Sequence, residues 1–307
     1  KGMNLYVKNA LHKNPTIPSW FSEQLPLSFN SANEINKLRL LMKEKLEKKE
    51  TKEKIIEFLQ DYLYVNKNTS EAIYNYFYEQ YKFSEIPSSK IITIERYKGE
   101  KNYLLVNSMY GRRVNDALSR ALGYLMAQAG GRDIEMGITD SGFYFAGESL
   151  KIEKAFNFLN SKNIKEVLTE AIEKTDLLAR RFRHCAARSL MIIKTYKGQS
   201  KTVGKQQMKS HFLLAAVKKI SNEFPILREA RREIFEDLMD IENARLILRW
   251  IEQGKLNVKT IETPVPSPFS LNLILQGHSD LIRIEDKQAF LRRMHQLHIQ
   301  NIMHNAA

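Results

Sequence analysis

The chain has almost no cysteine and no long apolar run, and both absences exclude some classes of protein. Cys185 is the only cysteine among 307 residues, which excludes a disulfide framework and a cysteine-based zinc site and favours a reducing, cytoplasmic location. No apolar run approaches the ~18 residues of a membrane helix, and the N-terminus has no hydrophobic signal region. Because the opening residues from Lys1 read like the last strand of a sheet, we expect a fragment of a longer protein.

Acidic residues are also absent from Leu177 to Asn222, a stretch that carries eleven Lys and Arg. The whole chain is basic, with 48 Lys and Arg against 35 Asp and Glu and a formal net charge of +13. Such an excess favours a polyanionic partner, and nucleic acid is the first candidate.

The basic stretch separates into two faces when it is read as a helix from Asp176 at about 100° per residue. The face expected to pack against the core holds Leu178, Phe182, Cys185, Ser189 and Ile193. The opposite face holds Arg180, Arg181, His184 and Arg188.

Crowded cations repel one another unless an anion lies among them, and the guanidinium fork matches phosphate oxygens. The alternative is a solvated face, or arginines paired with carboxylates from elsewhere in the fold. The helix is predicted to end near Tyr196, with Gly198 as its left-handed cap.

Two further features point to nucleic acid. Trp20 lies in the proline-restrained segment IPSWFSEQLPLSF, where an indole serves either as a base-stacking platform or as a lid on a core. Arg112 and Arg113 follow Gly111 at the start of a predicted helix. Because a helix N-terminus has free N–H groups and a positive dipole end, this junction is a candidate phosphate site.

The pattern of elements predicts an α+β fold with mixed helices and antiparallel β-hairpins and a helical C-terminal half. One hairpin joins IITIERY to YLLVNSMY, and a second joins DIEMGIT to FYFAG. We divide the chain into an N-terminal extended segment and helical subdomain, residues 1–86, and an α+β core with the basic helices, residues 87–307.

The sequence matches nucleotide-binding and metal-binding motifs only weakly. The nearest approach to a phosphate-binding P-loop is GQSKTVGKQ, which has one residue too many and places Gln206 where the magnesium-binding hydroxyl belongs. Acids around the second hairpin, from Glu135 to Glu148, fit no metal-ligand spacing. We therefore predict no catalytic residue and no metal site in this chain.

Several longer strings resemble one family in their order along the chain. They are IPSWFSEQLPLSF, NSMYGRRVNDALSRALGYLM, RRFRHCAARSLMIIKTYKGQSKTVGKQQ, FPILREARREIFEDLMDIENA and ETPVPSPFSLNLILQGHSD. They are similar to the region that follows the motor in large helicase-related proteins of superfamily 2, often called the DEAD/H-associated domain. The resemblance spans about Ile17 to Asp280, nearly the whole chain.

The resemblance implies a parent enzyme that couples ATP hydrolysis to 3′-to-5′ translocation on single-stranded DNA. Such an enzyme unwinds DNA duplexes or RNA:DNA hybrids and acts in DNA repair. Its ATP and Mg would lie in two RecA-like motor domains, which this chain lacks, and a winged helix would be a further neighbour. The resemblance also implies a strand-channel lining. That predicted lining consists of Trp20, Arg112, Arg113, Arg180, Arg181, Arg183, His184, Arg188, Lys197, Lys205 and Gln206.

Three functional readings remain open at this point. The first is a nucleic-acid-binding module that docks on the motor. The second is a DNA-modifying enzyme, a nuclease or glycosylase, that uses acids between Glu135 and Glu148. The third is a structural brace whose basic surface is covered by the motor.

Overall fold

The computed structural model describes residues 25–277 except 100, 132, 149, 174, 194, 197, 198 and 201, and four helical positions of the tail, 292, 296, 297 and 299. The described helices are α1 (Phe29–Glu47), α2 (Lys52–Leu63), α3 (Lys67–Phe83), α4 (Arg112–Gly130), α5 (Ile152–Phe158), α6 (Ile164–Glu173), α7 (Asp176–Arg188), α8 (Val203–Ile220), α9 (Pro225–Arg232), a π-helix (Glu233–Leu238), α10 (Ile241–Glu252) and α11 (Leu271–Gly277). The described strands are β1 (Ile91–Lys98), β2 (Asn102–Asn107), β3 (Glu135–Ile138), β4 (Gly142–Gly147), β5 (Thr195–Tyr196), β6 (Gln199–Ser200) and β7 (Asn257–Thr263).

A five-stranded mixed sheet in the order β3-β4-β2-β1-β7 forms the centre of the fold. Both hairpins predicted from the sequence are present and antiparallel, with Ile94 opposite Val106 and Met136 opposite Phe145. The edge strand β7 pairs parallel to β1, from Ile91 opposite Asn257 onward, and this makes the sheet mixed. The predicted α+β class is confirmed.

Successive side chains of a strand point to opposite sides, and the two faces of the sheet pack against different helices. On one side the strands pack with α4 to α10 in the main apolar cluster, which includes Ile94, Leu104 and Phe145. On the other side Leu105 and Tyr144 pack against Leu273 and Ile274 of α11.

The helical N-terminal part has an apolar cluster of its own, built from α1, α2 and α3 around Met42, Leu59 and Phe77. Phe269, close in sequence to α11, completes this cluster. The domain division at residue 86 stays a prediction, and the contribution of Phe269 shows that the two parts share apolar contacts.

Two buried charged groups lie near this junction. The Glu95 carboxylate accepts hydrogen bonds from the Ser267 backbone N–H (2.9 Å), the Ser267 hydroxyl (2.6 Å) and the Asn107 amide (3.2 Å). Burial raises the pKa of Glu95 above its ordinary value, although these donors oppose the shift. The Arg39 guanidinium lies 4.8 Å from the centre of the Phe269 ring, and its Nη1 has no hydrogen-bond partner among the described residues. Burial lowers the pKa of Arg39 to about 10.

The basic helix α7 ends eight residues earlier than the predicted end near Tyr196. The Ser189 N–H still donates to the Cys185 carbonyl at 2.9 Å, but Leu190 adopts a left-handed φ of 60°, and this turns the chain out of the helix. Ser189 and Ile193, predicted on the packed face, are consequently exposed. The predicted cap Gly198 lies outside the described residues.

Candidate nucleic-acid interface

The apolar face of α7 fixes the direction in which its cations point. Leu178, Phe182, Cys185 and Ala186 are each at most 3% exposed and belong to the main apolar cluster. This confirms the predicted packing face as far as Cys185. The helix packs against α8 and α9, so the remaining side chains face either those helices or the outside.

Glu233 divides the predicted cationic face into two parts. Its side chain is 5% exposed and lies at the start of the π-helix. Its Oε2 lies 3.3 Å from Arg181 Nη1, and its Oε1 accepts a hydrogen bond from Arg188 Nη2. Pairing with a distant carboxylate was the alternative left open by the sequence, and it holds for these two arginines.

Arg188 nevertheless remains accessible. Its side chain is 61% exposed, whereas that of Arg181 is 26% exposed. A guanidinium has five N–H donors, and Arg188 uses Nη2 toward Glu233 and toward the Cys185 sulfur at 3.3 Å. Its other donors are therefore left for an anion at the surface.

The outward part of the cationic face consists of Arg180, Arg183 and His184. Arg180 and His184 are exposed, and Arg183 is half-buried. Positions 180, 183 and 184 fall on one side of a helix, so these three side chains share a face. Within the part of the chain that the structure describes, neither Arg180 nor Arg183 has a carboxylate within salt-bridge distance.

A second ion cluster ties the neighbouring helices together. Glu173 at the end of α6 accepts from Arg231 Nη2 at 2.6 Å and from Lys218 of α8. Burial of Glu173 disfavours its charged form, but the bonds from Lys218 and Arg231 outweigh that effect and hold its pKa below the ordinary value. Lys218 of the basic stretch and Arg231 of α9 thus have a structural role.

Arg113 points inward, toward the end of the π-helix. Its Nη2 donates to the Met239 carbonyl at 3.1 Å and to the Glu236 carbonyl, and its own carbonyl accepts from the Asp240 N–H at 3.2 Å. A cation at these carbonyls stabilises the helix end, so the geometry gives Arg113 an intramolecular contact.

The predicted phosphate site at the start of α4 already holds a carboxylate of the protein. Asp140 Oδ1 accepts from the Arg112 N–H at 2.8 Å and from the Leu27 N–H at 3.0 Å. Gly111, with a φ of +86°, allows this close turn because an added Cβ would collide with the Leu27 carbonyl oxygen. The Arg112 N–H is therefore already engaged by a carboxylate of the protein, and the Arg112 side chain is exposed.

Four members of the predicted lining are not placed. Trp20 and Lys197 lie outside the described residues. Lys205 and Gln206 lie in the first turns of α8, where the structure describes the backbone but not their side chains. Their roles stay predictions.

Acids near the second hairpin do not converge. Glu135 pairs with Lys101 at 2.7 Å, and Asp140 is engaged at α4. Among the described residues, no three His, Cys, Asp or Glu side chains are grouped closely enough to hold a metal ion, and no helix is both long and apolar enough to cross a membrane.

Glu233 is the residue that sequence reasoning missed. Its signal was nevertheless present: in the helix that begins at Pro225, Leu227, Ala230, Glu233 and Ile234 recur at helical spacing. An acid on the buried side of such a pattern requires a cationic partner, and the acid-free stretch upstream supplies one.

Comparison with known proteins places this arrangement in a family. A model of the family described as DEAD/H associated matches residues 86–270, more than half of the chain. The chain belongs to the DEAD/H-associated family.

Its relatives include the ATP-dependent helicase Lhr-Core of Methanothermobacter thermautotrophicus, 45% identical over 305 residues, which make up 98% of this chain and 35% of that protein. The Lhr-Core helicase of Saccharolobus solfataricus is 39% identical over 307 residues, 96% of this chain and 35% of that protein. The predicted resemblance to large helicase-related proteins is confirmed, and this chain spans about a third of the length of these relatives.

A similar fold occurs in the structure of Mycobacterium smegmatis helicase Lhr bound to ssDNA and AMP-PNP. The TM-score is 0.70 at 22% sequence identity, over 86% of this chain and 34% of that one. This likeness supports the fold described above.

Proposed function

We propose that this chain is the nucleic-acid-binding module of an ATP-dependent 3′-to-5′ DNA helicase of the large helicase-related kind. In this proposal it lines the channel for the tracking single strand and docks on RecA-like motor domains and a winged helix. The substrates are single-stranded DNA and RNA:DNA hybrids, and the setting is DNA repair in the cytoplasm. The relatives named above and the ssDNA in the similar structure support it.

The observation that carries the proposal is the outward cationic face of α7. Arg180, Arg183 and His184 are held outward because the opposite side of the helix is buried. Arg188 extends that face, and Glu233 fixes its position without covering it. A row of cations on a rigid helix fits the phosphates of a strand and carries no sequence preference.

The sequence contains no P-loop motif for ATP hydrolysis. The nearest sequence to a P-loop has the wrong spacing, and its Gln206 lacks the hydroxyl that holds magnesium. ATP and Mg therefore belong to motor domains, on the same polypeptide or on a partner, and we expect no hydrolysis by this chain alone.

The test is the affinity of the chain for labelled single-stranded DNA, measured by fluorescence anisotropy across a salt series. Arg180→Ala removes a cation that has no carboxylate partner among the described residues, so we expect weaker binding and a salt slope that is lower by about 0.7, the effect of one phosphate contact on a single strand. Lys154→Ala on α5 is the control, because it removes the same charge from an exposed position outside α7. Trp20→Ala measures the predicted stacking.

Two other outcomes would favour the structural brace or the DNA-modifying enzyme. An Arg180→Ala variant that binds like the Lys154→Ala variant would contradict the α7 interface and favour the structural brace. Cleavage of DNA or release of a base by the purified chain would support the DNA-modifying enzyme, for which the acids from Glu135 to Glu148 were the candidates.

A further inference from the structure

A cavity of about 450 Å³ lies apart from the α7 surface, at the junction of α1, the end of α10 and the loop before β1. Its lining combines an aromatic ring, two amides, a hydroxyl and two lysines with one carboxylate, Glu34, and the apolar Leu256. The first six are Trp250, Asn30, Asn33, Ser89, Lys37 and Lys255. Its size falls within the range of about 300–1,000 Å³ typical of small-molecule sites.

The walls of the cavity are tied to one another by backbone hydrogen bonds. The Ser89 N–H donates to the Asn36 carbonyl of α1 at 3.4 Å, and the Leu256 N–H donates to the Trp250 carbonyl at 3.1 Å. Leu256 is 1% exposed. The cavity is therefore formed before any ligand arrives, and a ligand does not have to order these segments on binding.

The aromatic side of the cavity is held in place from behind. The Trp250 ring centre lies 6.2 Å from that of Phe29, which in turn lies 6.0 Å from Tyr110. Trp250 is half-buried, so part of the indole faces the cavity. A fixed indole with one accessible side is suited to stack on a flat ring.

Three of the polar side chains have no partner within the described part of the chain. Neither amide, at Asn30 or Asn33, has a hydrogen-bond partner there, and Lys255 has no carboxylate partner. Lys37 pairs with Glu34 at 2.6 Å, so one lysine is neutralised locally and the other is not. Amides supply donors and acceptors together, as a base edge requires.

We infer that this cavity binds a nucleobase with its phosphate, with the base stacked on Trp250, its edge on Asn30 and Asn33, and the phosphate near Lys255. Two sources have this chemistry: a free mononucleotide, and a nucleotide turned out of a bound strand. The inference goes beyond the proposed function, because none of these residues belongs to α7 and the pocket can be occupied without the strand channel.

The chain contains only two tryptophans, which makes a direct readout possible. In a Trp20→Phe background of the full 307-residue chain, Trp250 is the sole indole, and Phe at position 20 keeps an aromatic ring for strand binding. We expect dTMP or dAMP to quench Trp250 emission saturably. We expect Asn33→Ala or Lys255→Ala to raise the apparent Kd at least three-fold, and Lys154→Ala to leave it unchanged. Circular dichroism verifies that each variant is folded.

Titrations with a mononucleotide and with an oligonucleotide distinguish the two sources of the ligand. Saturable quenching by a mononucleotide assigns the free ligand, and quenching by an oligonucleotide alone, weakened by Asn33→Ala, assigns a base of the strand. Absence of quenching by either, or quenching that both cavity variants leave unchanged, overturns the inference. Arg180→Ala, measured by anisotropy, tests the α7 interface separately, so failure of the cavity leaves the proposed function standing.

Discussion

Replacing Glu233 by glutamine is expected to lower the free energy of unfolding by about 2–3 kcal/mol. Glu233 is a buried carboxylate, 5% exposed in its side chain, that accepts from two arginines of another helix. Glutamine keeps the shape and one acceptor oxygen but removes the charge, so Arg181 remains largely buried beside a neutral group.

The magnitude follows from the exposure of the two partners. A hydrogen bond to a charged group contributes about 1.5–3 kcal/mol when it is buried, which applies to Arg181 at 26% exposure. Arg188 is 61% exposed, and a pair with an exposed partner contributes about 0–1 kcal/mol. The Arg181 contact therefore accounts for most of the loss. At about 2–4 °C per kcal/mol, the midpoint of thermal unfolding falls by roughly 4–12 °C.

The assay is urea unfolding followed by far-UV circular dichroism, with Glu229→Gln as the matched control. Glu229 lies in the adjacent α9 and pairs with Arg232 at 2.8 Å, but both side chains are more than 40% exposed, so the midpoint should hardly move. Arg181→Met, alone and combined with Glu233→Gln, gives the coupling between the two residues. A buried ion pair between Arg181 and Glu233 is contradicted if Glu233→Gln lowers the free energy of unfolding no more than Glu229→Gln does. It is also contradicted if the effects of the changes at positions 181 and 233 are additive.

Three further predictions concern single polar side chains. Asp140→Ala removes the acceptor at the start of α4 and should cost about 1–2 kcal/mol in urea unfolding, whereas Asp140→Asn should retain most of it; equal losses would contradict a capping role. Because burial raises the folded-state pKa of Glu95, its contribution to the free energy of unfolding should be full below the unfolded pKa near 4.5 and should fall as the pH rises through the folded pKa. Glu95→Gln should remove this fall. If the free energy of unfolding depends on pH in the same way in the variant, the fall comes from another group. Arg39→Met keeps the contact with Phe269 while removing a buried cation that has no carboxylate partner in the part of the chain that the structure describes, so the unfolding free energy should stay level or rise by about 1 kcal/mol; a loss above about 2 kcal/mol would show that the charge is needed.

Local patterns in the sequence were sufficient for most individual elements. The two hairpins follow from alternating residues around turns, and the packed face of α7 follows from helical spacing as far as Cys185. The end of α7 was not predicted, because the left-handed Leu190 that ends it carries a side chain that ordinarily disfavours that conformation.

The sequence by itself determined the α+β class, the basic helix with its packed face, and the membership in a helicase-associated family. These depend on residues a few positions apart, or on strings that persist along the chain. Only the tertiary structure decided which cations face outward, because Glu233 lies 52 residues from Arg181. It also placed Asp140 on the N-terminus of α4, 28 residues from Arg112, and brought Trp250 next to α1. Periodicity identifies the face on which a charge lies, but the partner that neutralises it is set by packing between distant segments.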